Sequence, residues 1–160
     1  MKKITLLVCL LMTTLAAHAQ FEKGKWFISP SVTGLDLAYD TGIDKASFAL
    51  EANGGAFLID NLALLVHAGA SFNVSGSDTN VYTLGVGGRY YFDKIGIFTG
   101  AGVNLDHWSW STTDDTRISL ALEAGYAFFL SRTVTLEPAV FCNIGNEARF
   151  GLKLGFGFYF

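Results

Sequence analysis

The sequence predicts an all-β protein, an eight-stranded antiparallel up-and-down transmembrane β-barrel, and three observations support this fold class. The last residues, 148–160, alternate between apolar and polar or small side chains, which is the period-2 pattern of a β-strand. The apolar face of this segment is too long for the wet side of a soluble sheet and is typical of a strand that faces lipid. Seven earlier segments alternate in the same way. The composition, with 18 glycines, 14% aromatic residues and two prolines, is typical of a closed antiparallel sheet.

The N-terminus has the pattern of a secretory signal peptide. Two lysines at positions 2–3 precede an apolar segment at 4–15, and Ala-His-Ala at 17–19 supplies a small-x-small cleavage site. The apolar segment is shorter than the roughly 20 residues that a spanning helix needs. We therefore expect a cleaved signal peptide at 1–19 and a single barrel domain at 20–160, exported by a Sec-type route to the bacterial outer membrane. No later stretch is apolar for long enough to predict a helical membrane protein.

Eight alternating segments are separated by turn-forming residues. They are Lys25–Leu37, Lys45–Leu58, Leu62–Val74, Val81–Phe92, Ile95–Trp108, Arg117–Phe129, Thr133–Ile144 and Ala148–Phe160. Tight connections follow the second, fourth and sixth segments, and longer loops follow the others, including one predicted at Ser109–Thr116. Short turns on one side and longer loops on the other are typical of a barrel between periplasm and exterior. In the first segment, Pro30 and Gly34 predict either a bulge or an early, partly edge-like position.

The second face of these segments is mostly Gly, Ala, Ser and Asn, with about one charge per strand. A soluble barrel or sandwich, the structural alternative, would expose many more charged residues to water. A narrow lumen explains small residues better, because an eight-stranded barrel has a crowded interior. Aromatic residues gather at the tight-turn end and predict an interfacial girdle there. Its predicted members are Trp26, Phe27, Phe57, Tyr90, Tyr91, Phe92, Phe128, Phe129, Phe158, Tyr159 and Phe160.

Three carboxylates and four cations fall on the predicted lumenal face. They are Glu51, Arg89, Arg117, Glu123, Glu137, Arg149 and Lys153. Buried charges persist when they are paired and hydrogen-bonded, so these residues predict an internal salt-bridge network. We expect Arg117 and Arg149 nearer the exterior and the others at middle or lower height. Because side chains just fill an eight-stranded barrel, we interpret the network as a plug. A narrow gated diffusion channel is the alternative.

The sequence predicts no enzyme. Asp106, His107 and Ser109 are the residue types of acyl transfer, and a rim-active lipid-modifying enzyme is a third hypothesis. Adjacent residues on a strand point to opposite faces, however, so these three cannot form a catalytic chain by themselves. The lumenal glutamates resemble the carboxylates of glycoside hydrolysis, but a filled barrel offers no cleft for a sugar.

The sequence also predicts no metal, no cofactor and no nucleic-acid partner. His67 has no second histidine at ligand spacing, and Cys142 is a single thiol on the apolar face. The acidic outer loops lack the spacing of a calcium loop. The formal net charge is −3, and no basic patch is present to attract a nucleic acid.

Four stretches resemble a known family. They are the Ala-His-Ala-Gln signal ending at 17–20, and the Gly-rich strands Leu84–Tyr91, Phe98–Val103 and Leu154–Phe160. On these the chain resembles the small eight-stranded outer-membrane barrels, the superfamily of the OmpA transmembrane domain and OmpX. It is most similar to the short, porin-like outer membrane protein beta-barrel domain common in Bacteroidetes.

The resemblance implies a monomeric barrel with a structural or surface-interaction role. Its implied partners are outer-membrane lipids and lipopolysaccharide, periplasmic chaperones and the barrel-assembly machinery. In the family that machinery reads the terminal aromatic strand, so Tyr159 and Phe160 would carry the assembly signal here. The chain departs from the OmpA pattern in lacking a peptidoglycan-binding domain, so no cell-wall tether is implied.

Overall fold

The computed structural model describes residues 21–33, 39–40, 47–73, 80–92, 96–110, 113–145 and 148–160. Within them, eight long strands form one sheet: β1 Trp26–Thr33, β2 Ser47–Ile59, β3 Leu62–Asn73, β4 Asn80–Tyr91, β5 Ile97–Trp110, β6 Thr113–Tyr126, β7 Val134–Ile144 and β8 Ala148–Tyr159. The short pieces Tyr39–Asp40 and Phe128–Phe129 continue β1 and β6. None of the described residues belongs to a helix long and apolar enough to cross a membrane. The predicted signal peptide lies outside the described residues.

Each strand pairs antiparallel with the next one in sequence, from β1 through β8. β1 also pairs with β8, with Phe27 opposite Tyr159 and Val32 opposite Leu154, which closes the sheet into a barrel. Closure of the sheet into a barrel removes the two free edge strands that an open sheet would have. The prediction of an eight-stranded up-and-down antiparallel barrel is confirmed.

The apolar face of the strands lies outside. The large hydrophobic side chains of the strand middles are exposed; examples are Ile28, Leu50, Leu64, Val66, Leu84, Val86, Val103, Leu105, Ile118, Leu120, Val140, Leu152, Leu154 and Phe156. The inward face is narrow: a Cβ on Gly87 would lie 2.7 Å from the Ala101 carbonyl oxygen, and one on Gly102 would lie 2.8 Å from that of Val86. Glycine at this pair allows the backbones of β4 and β5 to approach closely.

β1 has no bulge at Pro30. Pro30 lies opposite Ala52 without a shift in register. Val32 and Tyr39 are seven positions apart, whereas their partners on β8, Leu154 and Phe150, are four apart. The register therefore differs by three residues between these two pairs, and the bulge predicted at Gly34 lies outside the described residues.

The prediction of an outer loop at Ser109–Thr116 is wrong. Ser109 pairs with Asp114 and Trp110 pairs with Thr113, so β5 and β6 continue until only positions 111–112 connect them. The run of Ser, Thr and Asp was interpreted as a turn because these residues favour loops. Ladder pairing between the two long strands outweighs that local preference.

The predicted girdle at the tight-turn end is wrong in part. Phe27, Phe57, Tyr91 and Tyr159 are buried inside the barrel. Trp26, Tyr90, Phe92, Phe128, Phe158 and Phe160 are exposed on its outer surface. The two sets alternate along the strand ends because neighbouring side chains point to opposite faces. The aromatic residues at this end therefore form both an outer belt and an inner cluster.

Candidate functional site in the barrel lumen

The inner aromatic cluster fills the barrel at its tight-turn end. We call it the Phe21 cluster; it consists of Phe21, Phe27, Phe57, Tyr91 and Tyr159. The Phe21 ring stacks on that of Tyr91, with centroids 4.1 Å apart and planes at 20°, and is 7% exposed. It also packs at tilted or edge-on angles against Phe57 and Tyr159, both about 6 Å away. The cluster thus joins the ends of β1, β2, β4 and β8 through a residue that precedes β1.

Backbone bonds fix the segment that carries Phe21. The Asn61 amide donates to the Phe21 carbonyl oxygen at 2.7 Å, and the Gly24 amide donates to that of Phe57 at 2.9 Å. The Lys23 amide donates to Asp60 Oδ1 at 2.8 Å. Gly24 and Asn61 have φ of +88° and +67°, which Gly and Asn tolerate well. The segment is therefore anchored on the β2–β3 turn.

Arg89 lies directly above this cluster and is the centre of the site. Its side chain is 1% exposed, although it carries a permanent charge. Nε donates to Glu123 Oε1 at 2.6 Å, and Nη1 donates to Glu137 Oε2 at 2.9 Å. The guanidinium also lies 4.3 Å from the centroid of the Phe98 ring, within cation–π range. Two carboxylates and an aromatic face thus surround one buried cation.

Glu137 accepts hydrogen bonds on both carboxylate oxygens and is 3% exposed. Tyr159 Oη and Thr135 Oγ1 donate to Oε1 at 2.7 and 2.8 Å. Ser29 Oγ donates to Oε2 at 3.2 Å, beside the Arg89 bond. A buried carboxylate needs such donors to offset the loss of hydration. This carboxylate joins β1, β4, β7 and β8.

Lys153 completes the charged layer from β8. Its Nζ forms an ion pair with Glu123 Oε2, so Glu123 bridges Lys153 and Arg89. We call these four residues, Arg89, Glu123, Glu137 and Lys153, the Arg89 network. Its charges are paired, which is the condition under which buried ions are tolerated. Two carboxylates and two cations form a neutral crosslink through the lumen.

Glycine makes room for both carboxylates. A Cβ on Gly157 would meet Thr135 Oγ1 and Glu137 Oε1, and one on Gly100 would lie 2.7 Å from Glu123 Oε1. These positions therefore require glycine for close packing.

We expect Gly157→Ala to lower the free energy of unfolding by ~1–3 kcal/mol, because the added methyl displaces Glu137 from its donors. Urea unfolding of the detergent-folded protein, followed by tryptophan fluorescence, measures the change. Gly54→Ala is the matched control, since a Cβ there meets nothing within 4 Å. Equal destabilisation by both substitutions would contradict close packing at Gly157.

The outer part of the lumen carries a separate polar group. Asp106 accepts from Thr83 Oγ1 at 2.7 Å and from Ser119 Oγ at 2.6 Å, and it lies opposite Arg117. His107 is exposed on the outer surface, where its Nδ1 is 3.2 Å from Thr116 Oγ1. Asp106 and His107 therefore point to opposite faces, as the alternation predicts.

A cavity of about 60 Å³ separates this outer group from the Arg89 network. Glu51, Asn53, His67, Asn104 and Asn143 line it together with small and apolar residues. His67 Nδ1 lies 3.0 Å from Asn53 Oδ1. Among the described residues, no three of the types His, Cys, Asp and Glu are close enough together to hold a metal ion.

Seven lumenal charges were predicted, and the structure brings four of them together as the Arg89 network. Glu51 lies in the cavity lining, while Arg117 and Arg149 are outside it, next to Asp106 and Asn143 respectively in the strand register. Tyr159 points inward to Glu137, and Phe160 is exposed. Their assembly role stays a prediction.

Sequence reasoning missed Phe21 and the hydroxyl donors around Glu137. Phe21 precedes the alternating segments, so no periodicity assigned it to a face. Ser29 and Thr135 were not singled out, although both fall on inward positions of their strands. The inward register of Thr135 and Glu137, two positions apart, was the available signal.

Comparison with known proteins identifies the fold. No protein-family model and no curated protein sequence matches the chain. Among solved structures, Neisserial surface protein A is similar with a TM-score of 0.68 and 18% identity, over 85% of this chain and 97% of that one. The N-terminal barrel of Pseudomonas aeruginosa OprF gives a TM-score of 0.61 and 15% identity, over 87% and 98%.

A de novo designed transmembrane β-barrel is also similar, with a TM-score of 0.54 and 16% identity over 88% of this chain and 99% of that one. A designed protein shares the architecture, so the architecture by itself does not specify an activity. The chain has the fold of the small eight-stranded outer-membrane β-barrels.

Proposed function

We propose that this protein is an integral outer-membrane β-barrel whose lumen is plugged by side chains and which serves a structural or surface-interaction role. The observation that carries the proposal is the buried, fully paired Arg89 network directly above the Phe21 cluster. A conducting lumen needs mobile water at every height, whereas these two layers place aromatic rings and ion-paired side chains in the path. The outward apolar band supports membrane residence.

A plugged barrel offers its outer surface and its exterior loops for function. Asp106 and His107 face opposite ways, so these two neighbours do not form the base–orienter pair that acyl transfer requires. The lipids that contact the outer band and the barrel-assembly machinery are the proposed partners. We infer that Phe160, exposed at the end of β8, is the accessible part of the proposed assembly signal.

Heat-modifiable gel migration tests membrane residence. We expect the unheated protein to migrate as a compact band and the boiled protein at its full size, because closed barrels resist dodecyl sulfate until they are heated. Fractionation should recover the protein with the outer membrane. A processed protein that is freely soluble without detergent would refute the assignment.

A narrow diffusion channel is the second candidate, and the cavity above the Arg89 network favours it. A polar space at mid-lumen would be one segment of a path from the exterior. For conduction, the Arg89 network and the Phe21 cluster would both have to rearrange, and each is held by several bonds.

A further inference from the structure

The cavity above the Arg89 network contains a carboxylate that forms no hydrogen bond or ion pair with the described residues. Glu51 lies on β2 opposite Gly69, and its side chain lines the cavity. Among the residues that the structure describes, Glu51 makes no hydrogen bond and no ion pair with protein. Lys153, which lines the cavity, is ion-paired with Glu123, and Arg89 is ion-paired with Glu123 and Glu137. Glu51 is therefore the carboxylate of this lining that has no ion pair with the described residues.

A second unpartnered group lies beside it. Asn53 is 4% exposed, and its Nδ2 has no hydrogen-bond partner among the described residues, while its Oδ1 bonds with His67. Both Asn53 and His67 line the same cavity as Glu51. A buried N–H without an acceptor costs roughly 1–3 kcal/mol, so an acceptor is expected in the cavity. The site thus requires a positive charge for Glu51 and an oxygen for Asn53.

We propose that this cavity binds a partly hydrated monovalent metal cation. The ion contacts the Glu51 carboxylate, and one of its water molecules accepts the Asn53 Nδ2 hydrogen bond. A cavity of about 60 Å³ has room for roughly four water-sized groups, which suits one ion and a few waters. The amide groups of Asn104 and Asn143 supply further polar contacts in the lining.

The charge of the site selects a monovalent ion over a divalent one. Calcium takes six to eight oxygen ligands, usually from several carboxylates, and Glu51 is the single unpaired carboxylate in this lining. Glu123 also lines the cavity, but both of its oxygens are engaged by Arg89 and Lys153. A single unpaired carboxylate is neutralised by one monovalent cation.

Urea unfolding of the protein in a zwitterionic detergent tests the proposal. It is measured once in rubidium chloride and once in choline chloride, at equal salt concentration. Choline is too large for the cavity, so the wild type should unfold at a higher urea concentration in rubidium chloride than in choline chloride. The difference should be lost in Glu51→Gln and kept in Glu22→Gln, which removes an exposed carboxylate before β1. An equal difference in wild type and Glu51→Gln would overturn the site.

Crystals of the wild type soaked in rubidium chloride provide a readout that does not depend on a variant. The proposal predicts an anomalous peak beside Glu51. A lumen without a peak overturns the proposal. An infrared band of a protonated carboxylic acid that disappears in Glu51→Gln would then show that a proton neutralises the residue.

Discussion

Arg89→Met should lower the free energy of unfolding by ~3–5 kcal/mol, the cost of leaving buried charges without their partner. The substitution keeps much of the side-chain volume, so lost packing contributes little. Glu137 would retain its hydroxyl donors but lose its cation, and Glu123 would retain only Lys153. Urea or guanidinium unfolding of the detergent-folded protein measures the change. This is the largest effect expected of any single substitution in the barrel.

A second variant separates the loss of charge pairing from general damage. Arg89→Met with Glu137→Gln removes one buried charge of each sign and leaves the Glu123–Lys153 pair intact. The glutamine oxygen can still accept from Thr135 and Tyr159, so the double variant should recover more than half of the lost stability. Arg132→Met, at an exposed turn position, is the matched control and should change little. A double variant as unstable as Arg89→Met would contradict the pairing account.

Phe21→Ala should be the next most destabilising substitution, at ~3 kcal/mol or more, because it leaves a void among four packed rings. Phe21 lies outside every strand, so a large loss would show that the segment before β1 is part of the folded barrel. Denaturant unfolding measures the stability. Limited proteolysis should also cleave faster near Lys23 and Lys25 in the variant.

Lys25→Ala is the comparison for Phe21→Ala, since it changes the same segment without entering the ring cluster. Its effect should lie within about 0.5 kcal/mol of wild type. If Phe21→Ala behaves like Lys25→Ala, the ring does not contribute to the closure at the tight-turn end.

Period-2 alternation was sufficient to predict the fold and the direction of nearly every strand side chain. It placed Arg89 and Glu137 on the inner face and Leu64 and Val66 on the outer face, because each residue of a closed sheet can point only inward or outward. It could not identify which charges meet, since residues such as Arg89 and Glu137 lie 48 positions apart and their contact depends on barrel closure.

Two features escaped sequence reasoning for physical reasons. Phe21 lies before the first strand, where periodicity carries no information, and its position depends on bonds to the β2–β3 turn. The extension of β5 and β6 to Trp110 and Thr113 depends on cross-strand pairing, which outweighs the loop preference of the intervening Ser, Thr and Asp residues. The first feature depends on contacts distant in sequence, and the second on pairing between two neighbouring strands.

Single-channel recording in planar bilayers tests the central claim, a lumen plugged by the Arg89 network and the Phe21 cluster. Heat-modifiable wild-type protein should insert and give no resolved conductance steps, because both layers occupy the path. Phe21→Ala combined with Arg89→Ala serves as the comparison, and steps from that variant would show that inserted barrels are detected. Regular conductance steps from the folded wild type would contradict the plug and favour the diffusion channel.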